Sequence, residues 1–296
     1  MTSEALQKAR DFEARYGPHI PGRERPAFHA TPTIGWMNDP NGFSMYRGEC
    51  HLFYQYHPYS NEWGPMHWGH LKTKDFIRWE RLPCALAPDE AYDASGCFSG
   101  GAAELPGGRQ LLMYTGVRRA RSEEGFLQDI QTQCVAIGDG VDYEKYELNP
   151  VLDGSDLPEG GSAIDFRDPK IWRGEDGNFY TVIGNRTEDG SGAILMYRSA
   201  GGLKWEFVRT LDRCRSGLPR DIVHTRSFLA RPNGGEIRLR VILDRFSVEV
   251  FVNDGEAAAS AVIYTRQEAD GITFEAGGQA LIDVEKYDLL FGGTDG

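Results

Sequence analysis

Between Asn38 and Glu206 the chain repeats itself three times. The first copy runs from Asn38-Asp39-Pro40 through His51-Leu52-Phe53-Tyr54 and Trp68-Gly69-His70 to Trp79-Glu80. The second runs from Phe98-Ser99-Gly100 through Leu111-Leu112-Met113-Tyr114 and Gln133-Cys134-Val135-Ala136 to Tyr143-Glu144, and the third from Arg167-Asp168-Pro169 through Asn178-Phe179-Tyr180 and Ala193-Ile194-Leu195 to Trp205-Glu206. The closing aromatic falls at Trp79, Tyr143 and Trp205, steps of 64 and 62 residues. A unit of that length, cut by Gly, Pro, Asn and Asp into short apolar or alternating runs, holds four strands and their turns, which is one blade of a β-propeller. Innermost strands of a propeller line its axis, so Asp39-Pro40, Ser99-Gly100 and Asp168-Pro169 are expected to converge on one central pocket. That arrangement brings two carboxylates together.

Outside the repeats, Ala5, Leu6, Ala9, Phe12 and Tyr16 recur at helical spacing and predict a short amphipathic helix over the first 16 residues. Cys214 to Glu236 reads as a domain junction. Beyond it, Ile237–Leu243, Ser247–Val252, Ala258–Tyr264, Ile272–Glu275 and Leu281–Leu290 read as strands, with Asn253-Asp254-Gly255 as a hairpin turn, and together predict a small antiparallel sandwich. The expected organisation is a helix and lead-in over residues 1–33, a truncated β-propeller over 34–213 and a partial β-sandwich over 214–296. The fold class is all-β.

Charge and composition exclude several partners. Lys plus Arg number 32 against 44 Asp plus Glu, a net charge of −12, and no basic run is long enough to track a phosphate backbone or an anionic membrane. No apolar run reaches membrane-spanning length, and Met1 to Tyr16 lacks the apolar core of an export signal, so a cytoplasmic protein is expected. The five cysteines, Cys50, Cys84, Cys97, Cys134 and Cys214, are odd in number and never form C-x-x-C, which indicates neither a disulfide framework nor a zinc site. His67 and His70 have no evident third partner and read as structural or pocket residues rather than metal ligands. No metal or cofactor is expected.

The run Trp36-Met37-Asn38-Asp39-Pro40-Asn41-Gly42 joins residue types that core packing does not explain. It resembles the signature of glycoside hydrolase family 32, the invertases, sucrose-6-phosphate hydrolases and fructan hydrolases. The resemblance continues in family order through Phe53-Tyr54-Gln55-Tyr56, Trp68-Gly69-His70, Phe98-Ser99-Gly100, Tyr114-Thr115-Gly116 and Phe166-Arg167-Asp168-Pro169, and returns at Asp244-Arg245 and Ser247-Val248-Glu249-Val250-Phe251. It implies cleavage of terminal β-fructofuranosides such as sucrose or sucrose 6-phosphate with retention, so the expected partner is a small sugar. Retention requires one carboxylate as nucleophile and a second carboxyl group about 5 Å away as acid and base. The resemblance gives Asp39 the nucleophile's role. It gives Asp168, with Arg167 beside it, the holding of fructosyl hydroxyls and stabilisation of the transition state, while Asn38, Gln55, Trp63, Phe98 and Ser99 shape the pocket. Taken singly, Asp39-Pro40 would be a turn and Arg167-Asp168 an ordinary ion pair. Their equivalent positions in the repeat argue against both.

The chain departs from the family pattern in one place. The family has five blades, and its general acid is the Glu of a Glu-Cys-Pro run that opens the blade after the Trp205 region; no such run exists here. After Trp205-Glu206-Phe207 the sequence passes to Leu218-Pro219-Arg220-Asp221, which resembles the family's entry into the sandwich, so about two blades are expected to be missing. Glu206 is the nearest remaining Glu but lies at a blade's rim; Glu104 and Asp165 lie nearer the expected pocket but match no catalytic position. The expectations are therefore a fructosidase impaired by loss of its acid or, alternatively, a fructoside-binding remnant or an inactive deletion product. Self-association through the open propeller edge is also expected.

Overall fold

The structure is a computed structural model that describes residues 2–122, 124–187, 190–212, 232–244, 247–262, 271–273 and 281–288. The chain divides into two compact units, Met1–Pro21 with Ala30–Arg220, and Gly22–His29 with Asp221–Gly296.

In the first unit, helix α1 (Glu4–Tyr16) starts at Ser3, whose side chain caps the Leu6 N–H at 3.1 Å. Three four-stranded antiparallel meanders follow. Sheet 1 contains β1 (Trp36–Tyr46), β2 (Glu49–His57), β3 (His67–Thr73) and β4 (Glu80–Leu86). Sheet 2 contains β5 (Gly96–Glu104), β6 (Gln110–Arg121), β7 (Leu127–Gly138) and β8 (Tyr143–Lys145). Sheet 3 contains β9 (Arg167–Arg173), β10 (Phe179–Arg186), β11 (Gly192–Ser199) and β12 (Glu206–Asp212). Each of the three sequence repeats has become one sheet.

Burial explains why the repeats differ in pattern. Sheet 2 packs on sheet 1 through Leu112, Tyr114, Cys134 and Ala136, and on sheet 3 through Leu111, Met113 and Val135. With both faces covered, the centre of β6 is a continuous apolar run. In β10 only one face meets sheet 2, so Phe179, Thr181, Ile183 and Asn185 are buried and the residues between them are not. On sheet 1, α1 buries Leu6 and Ala9 against Leu52, Tyr54, Leu71 and Cys84.

First strands lie next to one another, which is what a propeller axis requires. A Cβ on Gly101 of β5 would sit 3.0 Å from the Ile171 nitrogen and 3.1 Å from the Pro169 oxygen of β9, so any larger residue would push the two backbones apart by a few tenths of an ångström.

The second unit contains a three-stranded antiparallel sheet, β13 (Leu239–Asp244), β14 (Ser247–Val252) and β15 (Ala257–Val262). Asn253, Asp254 and Gly255 make the expected turn, with φ of 47°, 58° and 107°, values that Asn, Asp and Gly tolerate best. Two expectations are corrected. Residues 281–288 form no strand despite the alternation of Ile282 and Val284 with Asp283 and Glu285, and residues 271–273 form none either. Alternation marks a half-buried face, but a strand also needs a neighbour to pair with, and among the described residues these segments pair with none. The remaining residues of the strands expected at 272–275 and 281–290, the end of that expected at 258–264, and most of the expected junction at 214–236 lie outside the described residues. The lead-in is split: Gly22–His29 belongs with the second unit, where His29 Nδ1 lies 2.6 Å from Asp244 Oδ2 and Nε2 lies 3.1 Å from Glu249 Oε1.

Candidate active site

Each polar signature is a β-bulge in the first strand of its sheet. In β1 the register steps from Met37↔Tyr56 to Pro40↔Tyr54, so the stretch holding Asn38 and Asp39 carries one residue more than β2 can pair. In β5 the step is Phe98↔Thr115 to Gly100↔Tyr114, which leaves Ser99 over. In β9 it is Arg167↔Gly184 to Lys170↔Val182, which leaves one residue over at Asp168-Pro169. Pro40 and Pro169 have no N–H to give to a ladder, and Asp168 adopts φ of 62°, a left-handed conformation open to Asp. A bulge of this kind re-aims a side chain that a regular strand would point elsewhere. At Gly100 the bulge admits no side chain, because a Cβ there would meet the Met113 carbonyl oxygen at 2.0 Å.

These bulges bring Asp39, Ser99 and Asp168 together. Ser99 Oγ donates to Asp39 Oδ2 at 3.0 Å. Partial burial raises the Asp168 carboxyl above the ordinary range, the Arg167 guanidinium at 3.8 Å opposes this, and the charge of Asp39 adds to it. Both carboxylates remain open to solvent. A cavity of about 580 Å³ lies elsewhere, at the opposite end of the first strands, between Ala102–Gly108 and Lys170–Arg173.

The other expected site residues surround this centre. Asn38 Oδ1 accepts from Trp36 Nε1 at 2.7 Å, and buried Gln55 donates to the Cys97 carbonyl at 2.9 Å. Trp63 and Phe98 meet edge to face at 6.1 Å, with Trp63 exposed enough to offer its indole face to a ligand. Among the described residues, no group of three or more His, Cys, Asp or Glu side chains could hold a metal ion.

The three carboxyl groups weighed as substitute acids are placed apart. Glu104 is the last residue of β5, five positions from Ser99, which at about 3.3 Å per residue is roughly 16 Å along the strand. Although closer in sequence to the expected pocket than Glu206, it lines the distant cavity instead. Asp165 is held by Arg186 at 2.7 Å and by Ser162 at 3.3 Å. Glu206 is on the outermost strand of sheet 3, paired with Arg198 at 3.2 Å.

Sequence reasoning gave no role to three buried polar residues beneath the site. With its amide oriented to satisfy its neighbours, Asn41 accepts from Gln55 Nε2 at 3.1 Å and donates to Ser99 Oγ at 3.3 Å. The Ser99 proton is thereby left for Asp39. Thr115 and Gln133 lie under Ser99 and Asp168 and are fully buried. Asn41 and Gln133 stand among other polar residues and left no signal in the sequence; for Thr115 it was only a polar residue directly after an apolar run, which burial penalises unless it is hydrogen-bonded.

The chain is similar to known proteins over most of its length. The family model described as "Glycosyl hydrolases family 32 N-terminal domain" matches residues 29–220, and "Glycosyl hydrolases family 32 C terminal" matches residues 173–288. The sucrose-6-phosphate hydrolase of Zymomonas mobilis subsp. mobilis is 41% identical over 220 residues, which are 72% of this chain and 41% of the relative. The raffinose invertase of Escherichia coli is 40% identical over 197 residues, 65% of this chain and 39% of the relative. The solved structure of a Bombyx mori GH32 beta-fructofuranosidase superposes with a TM-score of 0.61 at 44% identity, covering 70% of this chain and 42% of the other. A mutant of that enzyme, solved in complex with sucrose, gives the same TM-score at 42% identity and covers 71% and 42%. The chain thus spans about two fifths of the length of these relatives, 39% to 42%.

Proposed function

The chain belongs to glycoside hydrolase family 32, and on that premise we propose that it attacks terminal β-fructofuranosides, sucrose or sucrose 6-phosphate among them, with Asp39 as nucleophile and without the usual proton donor. The observation that carries this reading is the pairing of Asp39 with Ser99, beside Asp168, at equivalent bulges of adjacent sheets. Asp39 attacks the fructosyl carbon as its bond to the leaving-group oxygen breaks, forming a covalent ester, and water then displaces the carboxylate, giving retention over the two steps. The hydrogen bond from Ser99 aims one carboxylate oxygen and leaves the other free to attack. Asp168 and Arg167 hold sugar hydroxyls, and the Asp168 charge stabilises the oxocarbenium-like transition state. Asn38, Gln55, Trp63 and Phe98 form the wall around the ring.

Proton donation is the missing part. Among the described residues, the carboxyl groups weighed as substitutes are ion-paired or remote from Asp39, and the Glu-Cys-Pro run is absent from the sequence. A positioned general acid contributes about 10²- to 10⁴-fold, so sucrose turnover is expected to fall by at least that order relative to a full-length family member. The same reading makes residues 34–213 a truncated propeller and 214–296 a partial sandwich, in a cytoplasmic chain that self-associates through the open edge.

Kinetics on two substrates test the proposal. In the first turnover fructosyl fluoride, whose leaving group needs no proton, should react much faster than sucrose, and Asp39→Asn should abolish both reactions. Equal loss on both substrates, or activity that survives Asp39→Asn, would overturn it. If neither substrate reacts but calorimetry detects fructose, the chain is a binding remnant.

A further inference from the structure

The side chain of Thr115 joins two of the three signatures. It lies on β6, fully buried, and its Oγ1 accepts from the Asp168 N–H at 3.0 Å. Its own proton faces two acceptors, the Ser99 carbonyl at 3.3 Å and Gln133 Oε1 at 3.2 Å. Gln133, also fully buried, then donates from Nε2 to the Phe166 carbonyl at 2.6 Å, two residues before Asp168. The chain of contacts therefore runs from the bulge of β5 through Thr115 and Gln133 to both sides of the bulge of β9.

We infer that Thr115, backed by Gln133, is a positioning residue that fixes the spacing between the Ser99–Asp39 pair and Asp168. The physical reason lies in the Asp168 backbone. Its left-handed conformation takes the N–H out of the β9 ladder, and a partly buried N–H that loses its acceptor is costly. Thr115 Oγ1 is the acceptor, so the bulge and its hydroxyl partner hold each other in place. Because the same hydroxyl can donate to the Ser99 carbonyl, a shift of one bulge is transmitted to the other. A valine at 115 would keep the volume but remove the acceptor of the Asp168 N–H and the single donor shared by the Ser99 carbonyl and Gln133 Oε1.

This inference rests on the reading that Asp39 and Asp168 work as a pair, and it can be tested without substrate. Titration of aspartate carboxyls by carbon NMR measures how strongly Asp39 acts on Asp168. With Thr115 present, Asp39→Asn should lower the Asp168 pKa, since it removes the neighbouring negative charge. In Thr115→Val that lowering should be largely lost, and in Thr115→Ser, which keeps the hydroxyl, it should return. Should Thr115→Val fail to fold, Thr115→Cys keeps a similar volume with a poor acceptor and carries the same comparison. On fructosyl fluoride the hydroxyl-free variant should lose about 10- to 100-fold in the first-turnover rate of fluoride release, the scale of a small misplacement, with rescue by serine. Full coupling in Thr115→Val, or a serine variant as impaired as valine, would overturn the inference. Coupling that depends on Thr115 in a protein inert toward fructosyl fluoride would instead count against the proposed function alone.

Discussion

The two interfaces between neighbouring sheets are built differently, and each carries one half of the candidate site. Between sheets 2 and 3 the filling is apolar: Leu111, Met113, Val135, Phe166, Ile171, Phe179, Ile183, Leu195 and Tyr197. Between sheets 1 and 2, ionisable groups share the interior with Phe53, Trp68 and Tyr114. His51 Nδ1 lies 2.9 Å from His70 Nε2, His70 stacks on Phe53 at 4.0 Å, and Lys145 Nζ lies 2.5 Å from buried Asp93, which also accepts from Tyr114 at 2.9 Å. The Ser99–Asp39 bond crosses the ionisable interface, and the Thr115–Asp168 bond crosses the apolar one. Apolar packing is indifferent to pH, whereas buried charges and imidazoles are not. The half of the site with the nucleophile is thus exposed to conditions that leave the other half untouched.

The largest expected effect comes from breaking the ionisable interface at its one lysine. Lys145→Met leaves buried Asp93, and Asp89 beside it, without their shared partner and should cost about 3–5 kcal/mol, read from the denaturation midpoint. Adding Asp93→Leu should recover part of it, since it removes the fully buried carboxylate but leaves Asp89 without the lysine. Phe179→Ala tests the apolar interface and should cost a similar 3–5 kcal/mol through the cavity it leaves. Here the loss should be the same at acid and at neutral pH, and a strongly pH-dependent loss would contradict the contrast between the interfaces.

Acid sharpens the comparison further. Burial, with His51 adding to it, holds the His70 imidazole well below its usual 6.5, so the unfolded chain binds a proton that the folded one refuses. Stability from this group is present above about 6.5 and lost as pH falls below it. Hydrogen exchange corrected for its intrinsic rate should therefore speed up in sheet 1 before sheet 3 on acidification. Glu13 of α1 has the opposite sign. Burial raises its carboxyl to about 7, against the hydrogen bond from the Cys84 N–H, so the folded state binds the extra proton and stability falls as pH rises from about 4.5 to about 7. Glu13→Gln should flatten that slope and stabilise the protein by up to about 3 kcal/mol at pH 8. The smallest effect belongs to the helix cap, where Ser3→Ala should cost about 1 kcal/mol.

How much of this was legible in the sequence depends on whether the signal was local. The repeat is local in pattern, and it predicted three sheets whose first strands bear the signatures. Ser247–Val252 and the Asn253-Asp254-Gly255 turn were read directly from alternation and turn chemistry. The bulges were not, because register depends on a partner strand that spacing does not reveal. For the same reason residues 281–288 alternate without forming a strand. Thr115 and Gln133 looked like ordinary strand residues, since burial on both faces follows from sheet 2 lying between two others. The link of His29 to Asp244 spans 215 positions and leaves no trace in either segment.

The central claim is a working nucleophile without its acid and base, and a trapping measurement addresses it most directly. Fructosyl fluoride can load Asp39 without a proton donor, but release of the ester needs a base to activate water. After brief incubation with fructosyl fluoride and acid quenching, mass spectrometry of the digest should find the peptide containing Asp39 heavier by one anhydrohexose unit. That adduct should be absent in Asp39→Asn. An adduct on another carboxylate, or rapid hydrolysis of fructosyl fluoride with no adduct on Asp39, would contradict the account.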